Sequence, residues 1–294
     1  MPRLRIRHDT VYRYDQPVAF GQHRLLLRPR DSHAGRLIDA SLTLSPQGET
    51  RWLYDALGNC VCLFAPQGTS TELHIASELV IDRYPAPMIP MAIEDPHSTF
   101  PIAYDQTDRA ALAPFSSPMS GGEENAFLSW LRDHAAYPRE SLVNYLQRLN
   151  HTIFQEFSYG ERYAEGVQSP NDTVQLGTGS CRDFAWLMVE ALRRLGFAAR
   201  FVTGYLNSPM GNSGVRGAGA THAWCEVFLP DLGWLEFDPT NGLAESSDLI
   251  RVATALTPAE AAPVAGSLIG FPGGSTMEVT VQVDRLDTLE PVAA

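Results

Sequence analysis

Three short segments decide the fold: Gly177-Thr178-Gly179-Ser180-Cys181-Arg182-Asp183-Phe184, then Thr221-His222-Ala223-Trp224, then Asp238-Pro239-Thr240-Asn241-Gly242. Each segment carries one side chain that suits acyl-transfer chemistry: first a Cys, then a His, then an Asp. A thiol nucleophile needs a base to activate it and an acid to orient that base. The order therefore predicts a catalytic triad, and we interpret the rest of the chain as its scaffold.

Cys181 stands where a loop ends and a helix is predicted to begin. Apolar residues recur at helical spacing after it, and Gly196 supplies a stop signal; they are Phe184, Leu187, Met188, Ala191, Leu192 and Leu195. A helix N-terminus favours a thiolate because its N–H groups are unpaired. The N–H of Cys181 would also point at the carbonyl oxygen under attack, as part of an oxyanion hole.

The predicted base and acid lie on two strands of a hairpin. His222 opens an alternating strand on which His222, Trp224 and Glu226 face one way and the intervening residues face the other. Asp238 ends the following strand. Direct pairing of His222 with Asp238 needs a hairpin centred on residue 230, or a bulge. We predict one of these two, because a four-residue turn would put Asp238 on the wrong face.

Four residues near these segments are predicted to contact substrate: Gly179, Ser180, Trp224 and Tyr205. Gly179 lets the backbone approach a substrate closely. Tyr205 ends a strand that points towards a Gly-rich loop, 207–220, and is interpreted as a cleft wall. Trp224 fits either a substrate tunnel or the core. Asp183 fits favourable helix electrostatics as well as a role in the site.

The chain is predicted to divide into an N-terminal all-β domain, residues 1–84, a Pro-rich linker, 85–118, and a catalytic core with a C-terminal strand, 119–294. Alternating runs at 4–8, 41–44 and 73–76, separated by turn signals, indicate a sandwich or open barrel. Cys60 and Cys62 share a strand face. We interpret them as structural thiols, with a metal role beside His74 as the alternative.

Composition narrows the choice of partners. The 294 residues are 44% hydrophobic and carry a net charge of -12, which argues against nucleic acid and anionic membranes as partners. Four Cys in a chain of this length do not make a disulfide framework. The basic N-terminus lacks the apolar run of a signal peptide, so the expected compartment is the cytoplasm. Oligomeric state cannot be read from the sequence.

These motifs resemble the transglutaminase-like superfamily of cysteine enzymes. The resemblance rests on Gly-Ser-Cys-Arg-Asp-Phe-Ala from 179, Thr-His-Ala-Trp from 221 and Gly-Trp-x-x-Phe-Asp-Pro-Thr-Asn-Gly from 233. The segment 8–14, with Arg28-Pro29-Arg30 and Gly58-Asn59, is similar to the N-terminal β-domain of the bacterial branch. The resemblance implies an α+β protein with a papain-like core. It also implies Cys181 as nucleophile, His222 as general base and acid, and Asp238 as orienter.

The predicted function is a cysteine-dependent hydrolase of protease or amidase type. It would cleave a peptide, isopeptide or amide bond of a peptide or protein substrate through an acyl-enzyme. Two alternatives stay open: transglutaminase-type acyl transfer to an amine, and a non-catalytic interaction module on the same fold. No cofactor and no metal site are expected, since the sequence shows neither a Cys-x-x-Cys pair nor an acidic calcium loop.

Overall fold

The fold is that of a computed structural model, which describes residues 2–84, 100–121, 125–138, 140–162, 165–207, 215–217 and 219–286. Two predictions lie partly outside these ranges. They are the Pro-rich linker, of which 85–99 are not described, and the loop 207–220. Within the described residues, no helix has the length and apolar character needed to cross a membrane.

The N-terminal part is built from six strands: β1 Arg3–Phe20, β2 His23–Arg28, β3 Gly35–Ser45, β4 Gly48–Tyr54, β5 Cys60–Pro66 and β6 Thr69–Arg83. Strands β1, β6 and β3 form one antiparallel sheet, and β2, β5 and β4 form a second. Side chains alternate along each strand, so the inner faces of both sheets meet in a core that includes Leu25, Phe64 and Leu73. The predicted sandwich-like β domain is confirmed.

The predicted linker is partly helical. Helix α1, Gln106–Leu112, begins where Asp105 accepts a hydrogen bond from the N–H of Asp108, and a 3₁₀ turn, Ala113–Phe115, follows it. The Tyr104 hydroxyl accepts a hydrogen bond from the N–H of Ala198 at 2.8 Å and donates one to the Phe228 carbonyl at 3.0 Å. This segment is therefore attached to the core.

The core combines helices with a five-stranded sheet. Its helices are α2 Asn125–Asp133, α3 Leu142–Glu156, α4 Pro170–Leu176 and α5 Cys181–Arg194. Its strands are β7 Ser158–Tyr159, β8 Thr178–Gly179, β9 Ala199–Leu206, β10 His222–Leu229, β11 Gly233–Asp238, β12 Leu243–Ala244 and β13 Leu249–Ala255. The order in the sheet is β12-β11-β10-β9-β13. Helix α5 packs against β9 and β10, and the predicted α+β class is confirmed.

The C-terminal strand does not join the core sheet. After a 3₁₀ turn, Ala259–Ala261, come β14 Val264–Ala265, β15 Leu268–Ile269 and β16 Ser275–Leu286. Strand β16 pairs with β1 from Arg3↔Leu286 to Tyr14↔Ser275. The prediction that placed this strand with residues 119–294 is corrected here: alternation identifies a strand, but it does not identify a partner far away in sequence.

Candidate active site

Cys181 is the first residue of α5, and Ser180 precedes it as the N-cap. The Asp183 carboxylate accepts hydrogen bonds from the N–H and the hydroxyl of Ser180, both at 2.8 Å. This reciprocal cap fixes the start of the helix and the position of the thiol. The predicted helix start is confirmed, and Cys181 is only 7% exposed.

Asp183 also anchors the loop in front of the helix. It accepts hydrogen bonds from the N–H of Gln168 at 2.7 Å and from Arg162 Nε at 3.1 Å. Burial on its own would raise the pKa of Asp183, but these hydrogen bonds and those from Ser180 bring that pKa below its ordinary value. Asp183 therefore acts as an ionised structural hub under Cys181, in agreement with its favourable helix electrostatics.

His222 and Asp238 meet at the end of the β10–β11 hairpin. His222 Nε2 donates a hydrogen bond to Asp238 Oδ2 at 2.8 Å, and both side chains are buried. Both predicted arrangements, a hairpin centred on residue 230 and a bulge in the hairpin, are wrong. Leu229 pairs with Gly233 and Cys225 with Phe237, which centres the hairpin on residue 231. Asp238 is consequently a diagonal neighbour of His222 on one sheet face, within reach of its ring.

Asp238 is held by two further donors. The N–H of Thr240 donates to Oδ1 and the Asn241 side-chain amide donates to Oδ2, both at 2.9 Å. Burial on its own would raise the pKa of Asp238, but His222, Asn241 and Thr240 together lower it. Asp238 is therefore a carboxylate whose orientation is fixed by three hydrogen bonds. Asn241 was part of the quoted Asp-Pro-Thr-Asn-Gly segment, but its role was not predicted.

Opposing effects act on the pKa of His222. Burial would lower its pKa, whereas Asp238, and after it Cys181, raise the pKa to about 10. The proton therefore stays on His222 through neutral pH. Nε2 is hydrogen-bonded to Asp238, and Nδ1 has no hydrogen-bond partner among the described residues. Nδ1 is thus the open nitrogen of the ring within the part of the chain that the structure describes.

The segment 215–217 covers this open nitrogen. A Cβ on Gly217, whose φ is +80°, would lie 3.2 Å from His222 Nδ1 and 3.5 Å from the Tyr159 hydroxyl. Arg216 holds the segment: its N–H donates to Asn241 Oδ1 at 2.9 Å, and its guanidinium donates to the Phe154 carbonyl at 3.2 Å. Sequence reasoning missed Tyr159, Arg216 and Gly217, because nothing in their local pattern shows that they meet His222.

The predicted substrate-contacting residues are not placed as expected. Tyr205 is 1% exposed, and its hydroxyl pairs with His8 Nδ1 at 3.0 Å. Its ring packs with the first strand of the N-terminal sheet, which contradicts its prediction as a cleft wall. Trp224 is fully buried and stacks on His222 with ring centroids 6.0 Å apart, so it packs in the core beside the imidazole.

Gly179 and Ser180 serve the start of α5. A Cβ on Gly179 would come within 2.9 Å of the Asp183 Cβ and 3.0 Å of the Phe184 ring. Ser180 is buried and donates to Asp183. Packing therefore explains Gly179, and capping explains Ser180. Gly177, with φ of +65°, ends helix α4.

The other thiols lie apart from this site. Cys225 faces α5 in the core, where burial raises the pKa of its thiol. Burial likewise raises the pKa of Cys62, to about 11. His74 Nε2 is hydrogen-bonded to Asp9 Oδ1 at 3.1 Å, and no group of His, Cys, Asp or Glu suited to a metal occurs among the described residues.

An N-terminal β domain, followed by a Cys-bearing helix on an antiparallel sheet, defines a transglutaminase-like α+β protein. Residues 4–82 match the bacterial transglutaminase-like N-terminal region, and residues 129–239 match the transglutaminase-like superfamily. The chain belongs to this superfamily.

Individual relatives extend over most or part of the chain. An uncharacterized protein of Mycobacterium tuberculosis is 29% identical over 96% of this chain and 92% of its own length. A protein-glutamine gamma-glutamyltransferase of Pseudomonas aeruginosa is 34% identical over 43% of this chain and 20% of its own length. A crystal structure of a candidate cysteine protease from Cytophaga hutchinsonii, 20% identical, covers 98% of this chain and 91% of its own, with a TM-score of 0.69. The last likeness shows the fold.

Proposed function

We propose that the protein is a cysteine-dependent hydrolase that cleaves an amide-type bond of a peptide or protein through an acyl-enzyme. The observation that carries this proposal is the His222–Asp238 hydrogen bond of 2.8 Å, together with the action of Cys181 on the same ring. A His–Asp pair with a purely structural role does not require a thiol at a helix N-terminus beside it.

The proposed reaction begins with a thiolate–imidazolium pair. The Cys181 sulfur attacks the carbonyl carbon, and the C=O electron pair moves onto oxygen. When this pair returns, the C–N bond breaks and His222 gives its proton to the leaving amine. Neutral His222 then takes a proton from water, which attacks the thioester and releases the acid. Asp238 keeps the imidazole oriented and stabilises its charge in both steps.

The same thioester could instead be attacked by an amine, as in acyl transfer. One observation favours this second candidate: the Pseudomonas aeruginosa relative bears the name of a gamma-glutamyltransferase. The nearly complete burial of Cys181 and His222 also suits a site from which water is excluded. The two reactions differ only in the nucleophile that releases the acyl group, so they must be separated by product analysis.

The test is alkylation of the purified protein with iodoacetamide from pH 5 to 9, with the modified Cys mapped by mass spectrometry. We expect Cys181 to react rapidly near pH 6, and His222→Ala to remove this fast reaction. His33→Ala, which changes an exposed His in the N-terminal domain, is the matched control and should react like the unchanged protein. Equal, slow alkylation in all three proteins would refute catalysis and favour a non-catalytic module.

If the fast thiol is present, peptide and isopeptide libraries are offered with and without a primary amine. Release of free acid in both conditions supports hydrolysis. An amide product that replaces the acid supports acyl transfer.

A further inference from the structure

The N-terminal sandwich has a cleft between its two sheets. The cleft has a volume of about 280 Å³ and is lined by residues of β3 and β6 on one side and of β2 and β4 on the other. In the part of the chain that the structure describes, β3 and β4 are the last strands of their sheets, so the cleft lies at an edge of the sandwich. Protein interiors are close-packed and have few voids larger than a water molecule, so a cleft of this size in a sandwich is unusual.

Most of the cleft wall is apolar. Leu42 and Leu44 line it from β3, and Leu79 lines it from β6. Trp52 lines it from β4 of the second sheet. It pairs with Cys62, which lies in the sandwich core, and residues directly opposite each other on paired strands share a sheet face. The Trp52 indole therefore stands on the inner face. Apolar walls with a small number of polar groups are typical of sites for small organic molecules.

One buried polar side chain stands in this apolar wall. Ser77 is 6% exposed, and it alternates along β6 with the buried residues Ile75 and Leu79, so its side chain is on the inner face of the sheet. Across the residues that the structure describes, its hydroxyl has no hydrogen-bond partner. Buried hydroxyls are nearly always hydrogen-bonded, so the partner of Ser77 comes from what the cleft contains.

Arg28 supplies the charge of the cleft. Its guanidinium lies over the Trp52 ring, 5.7 Å from the ring centroid, and no described residue forms an ion pair or a side-chain hydrogen bond with it. The described lining contains no Asp or Glu, although acidic residues outnumber basic ones by 34 to 22 in the whole chain. A guanidinium that is stacked on an aromatic ring and has no carboxylate partner can offer its N–H fork to the carboxylate of a ligand.

The size and charge of the cleft limit the ligand. A cavity of about 150 Å³ holds benzene, with its six carbon atoms, so by the same ratio the cleft holds a molecule of roughly eleven non-hydrogen atoms. A single Arg matches a single negative charge, which favours a monocarboxylate over a doubly charged phosphate. A hydroxyl on the ligand would provide the hydrogen-bond partner that Ser77 lacks.

We propose that the cleft between the two N-terminal sheets binds a small hydroxylated monocarboxylate. The carboxylate pairs with Arg28, the apolar body lies between Trp52 and the leucines of the opposite sheet, and the hydroxyl forms a hydrogen bond with Ser77. None of the residues that line the cleft belongs to the proposed triad, and this inference does not depend on the proposed function. It also gives a role to Arg28, which the proposed reaction does not use.

The experiment is isothermal titration calorimetry of the full chain with 3-(4-hydroxyphenyl)propionate, a monocarboxylate of the size derived above. The unchanged protein should bind one equivalent. Arg28→Gln should weaken binding by at least about tenfold, the usual loss when a hydrogen bond to a charged group is removed. Arg30→Gln is the matched control, because Arg30 also stacks on an aromatic ring, that of Tyr54 at 4.8 Å, but does not line the cleft. Its affinity should stay within about twofold of the unchanged protein.

A second comparison tests Ser77. The compound 3-phenylpropionate has the same skeleton without the hydroxyl, and the unchanged protein should bind it about fivefold more weakly, the usual loss of one neutral hydrogen bond. Ser77→Ala should bind the two compounds equally.

Three results would overturn the inference. They are no saturable binding of either compound by the unchanged protein, equal affinity in Arg28→Gln and the unchanged protein, and a preference for the hydroxylated compound that persists in Ser77→Ala. If Arg28→Gln does not fold, by its melting curve, Arg28→Lys replaces it; this variant keeps the charge but not the N–H fork, and it must still bind more weakly. None of these results bears on the alkylation of Cys181, so failure of this inference is distinct from failure of the proposed function.

Discussion

Asp238→Asn tests the electrostatics of the site most directly. The change keeps the shape of the side chain but removes the charge that contributes most to raising the pKa of His222 to about 10. Burial lowers the pKa of His222, and in this variant only Cys181 still raises it. We expect the pKa of His222 to fall below its ordinary value of 6.5, so that most of the imidazole is neutral at pH 7.

The expected magnitude follows from the thiol chemistry. Without a stable imidazolium, the sulfur loses the partner that favours its charged form. An ordinary thiol with a pKa of about 8.5 is roughly 0.3% thiolate at pH 6. Alkylation of Cys181 at pH 6 is therefore expected to slow by up to about 300-fold, and the loss should shrink as the pH rises towards 9.

The assay is a pH profile of iodoacetamide alkylation at Cys181. Asp248→Asn provides the control, because Asp248 contacts Asn207 at 2.9 Å and lies outside the triad. A profile for Asp238→Asn that coincides with that of the unchanged protein would show that the 2.8 Å contact does not govern the thiol. The reasoning about His222 would then be refuted, whatever the effect on stability.

Two further predictions concern the covered histidine. Gly217→Ala should slow alkylation of Cys181 by at least about tenfold, because its methyl group would lie 3.2 Å from His222 Nδ1. The control is Gly219→Ala, which has a similar φ of +83° but nothing within 4 Å of its Cβ, so it should only be destabilised by the roughly 1 kcal/mol of backbone strain. Equal alkylation rates in the two variants would contradict this prediction. Protonated His222 should stabilise the fold most below pH 6.5, its unfolded pKa, and this contribution should be lost as the pH rises to about 10. Urea midpoints from pH 6 to 10 should therefore fall more steeply for the unchanged protein than for His222→Gln, and parallel curves would count against the raised pKa.

The residue pattern was sufficient to predict those parts of the structure that depend on local sequence. The apolar stripe of α5 specified where the Cys-bearing helix begins, since helical periodicity acts within a few turns. Alternation likewise separated the two faces of β10: Cys225 faces the helix, while Trp224 and Glu226 face the other way. Such features can be read from one segment without knowing what packs against it.

The pattern failed where a choice depends on turn geometry or on distant segments. The hairpin register was wrong because a three-residue turn, with Asp231 at φ of +63° and Gly233 at +76°, shifts the pairing by one position relative to the four-residue alternative. Tyr205 was misplaced for another reason. Its strand shows a buried face, but only the packing of the N-terminal sheet against that face shows that it is closed to a ligand.

The N-terminal sheet reaches the neighbourhood of His222 through the C-terminal strand. Strand β16 is part of the N-terminal sheet through its pairing with β1, and the N–H of its Val281 donates to the Gly219 carbonyl at 2.9 Å. Gly219 is two residues from Gly217, which lies against His222. The N-terminal sheet therefore holds Gly219, two residues after the segment 215–217, while Asn241 holds that segment through the N–H of Arg216. Since Gly217 lies against His222, the N-terminal sheet contributes to the surroundings of the imidazole even though it supplies no member of the proposed triad.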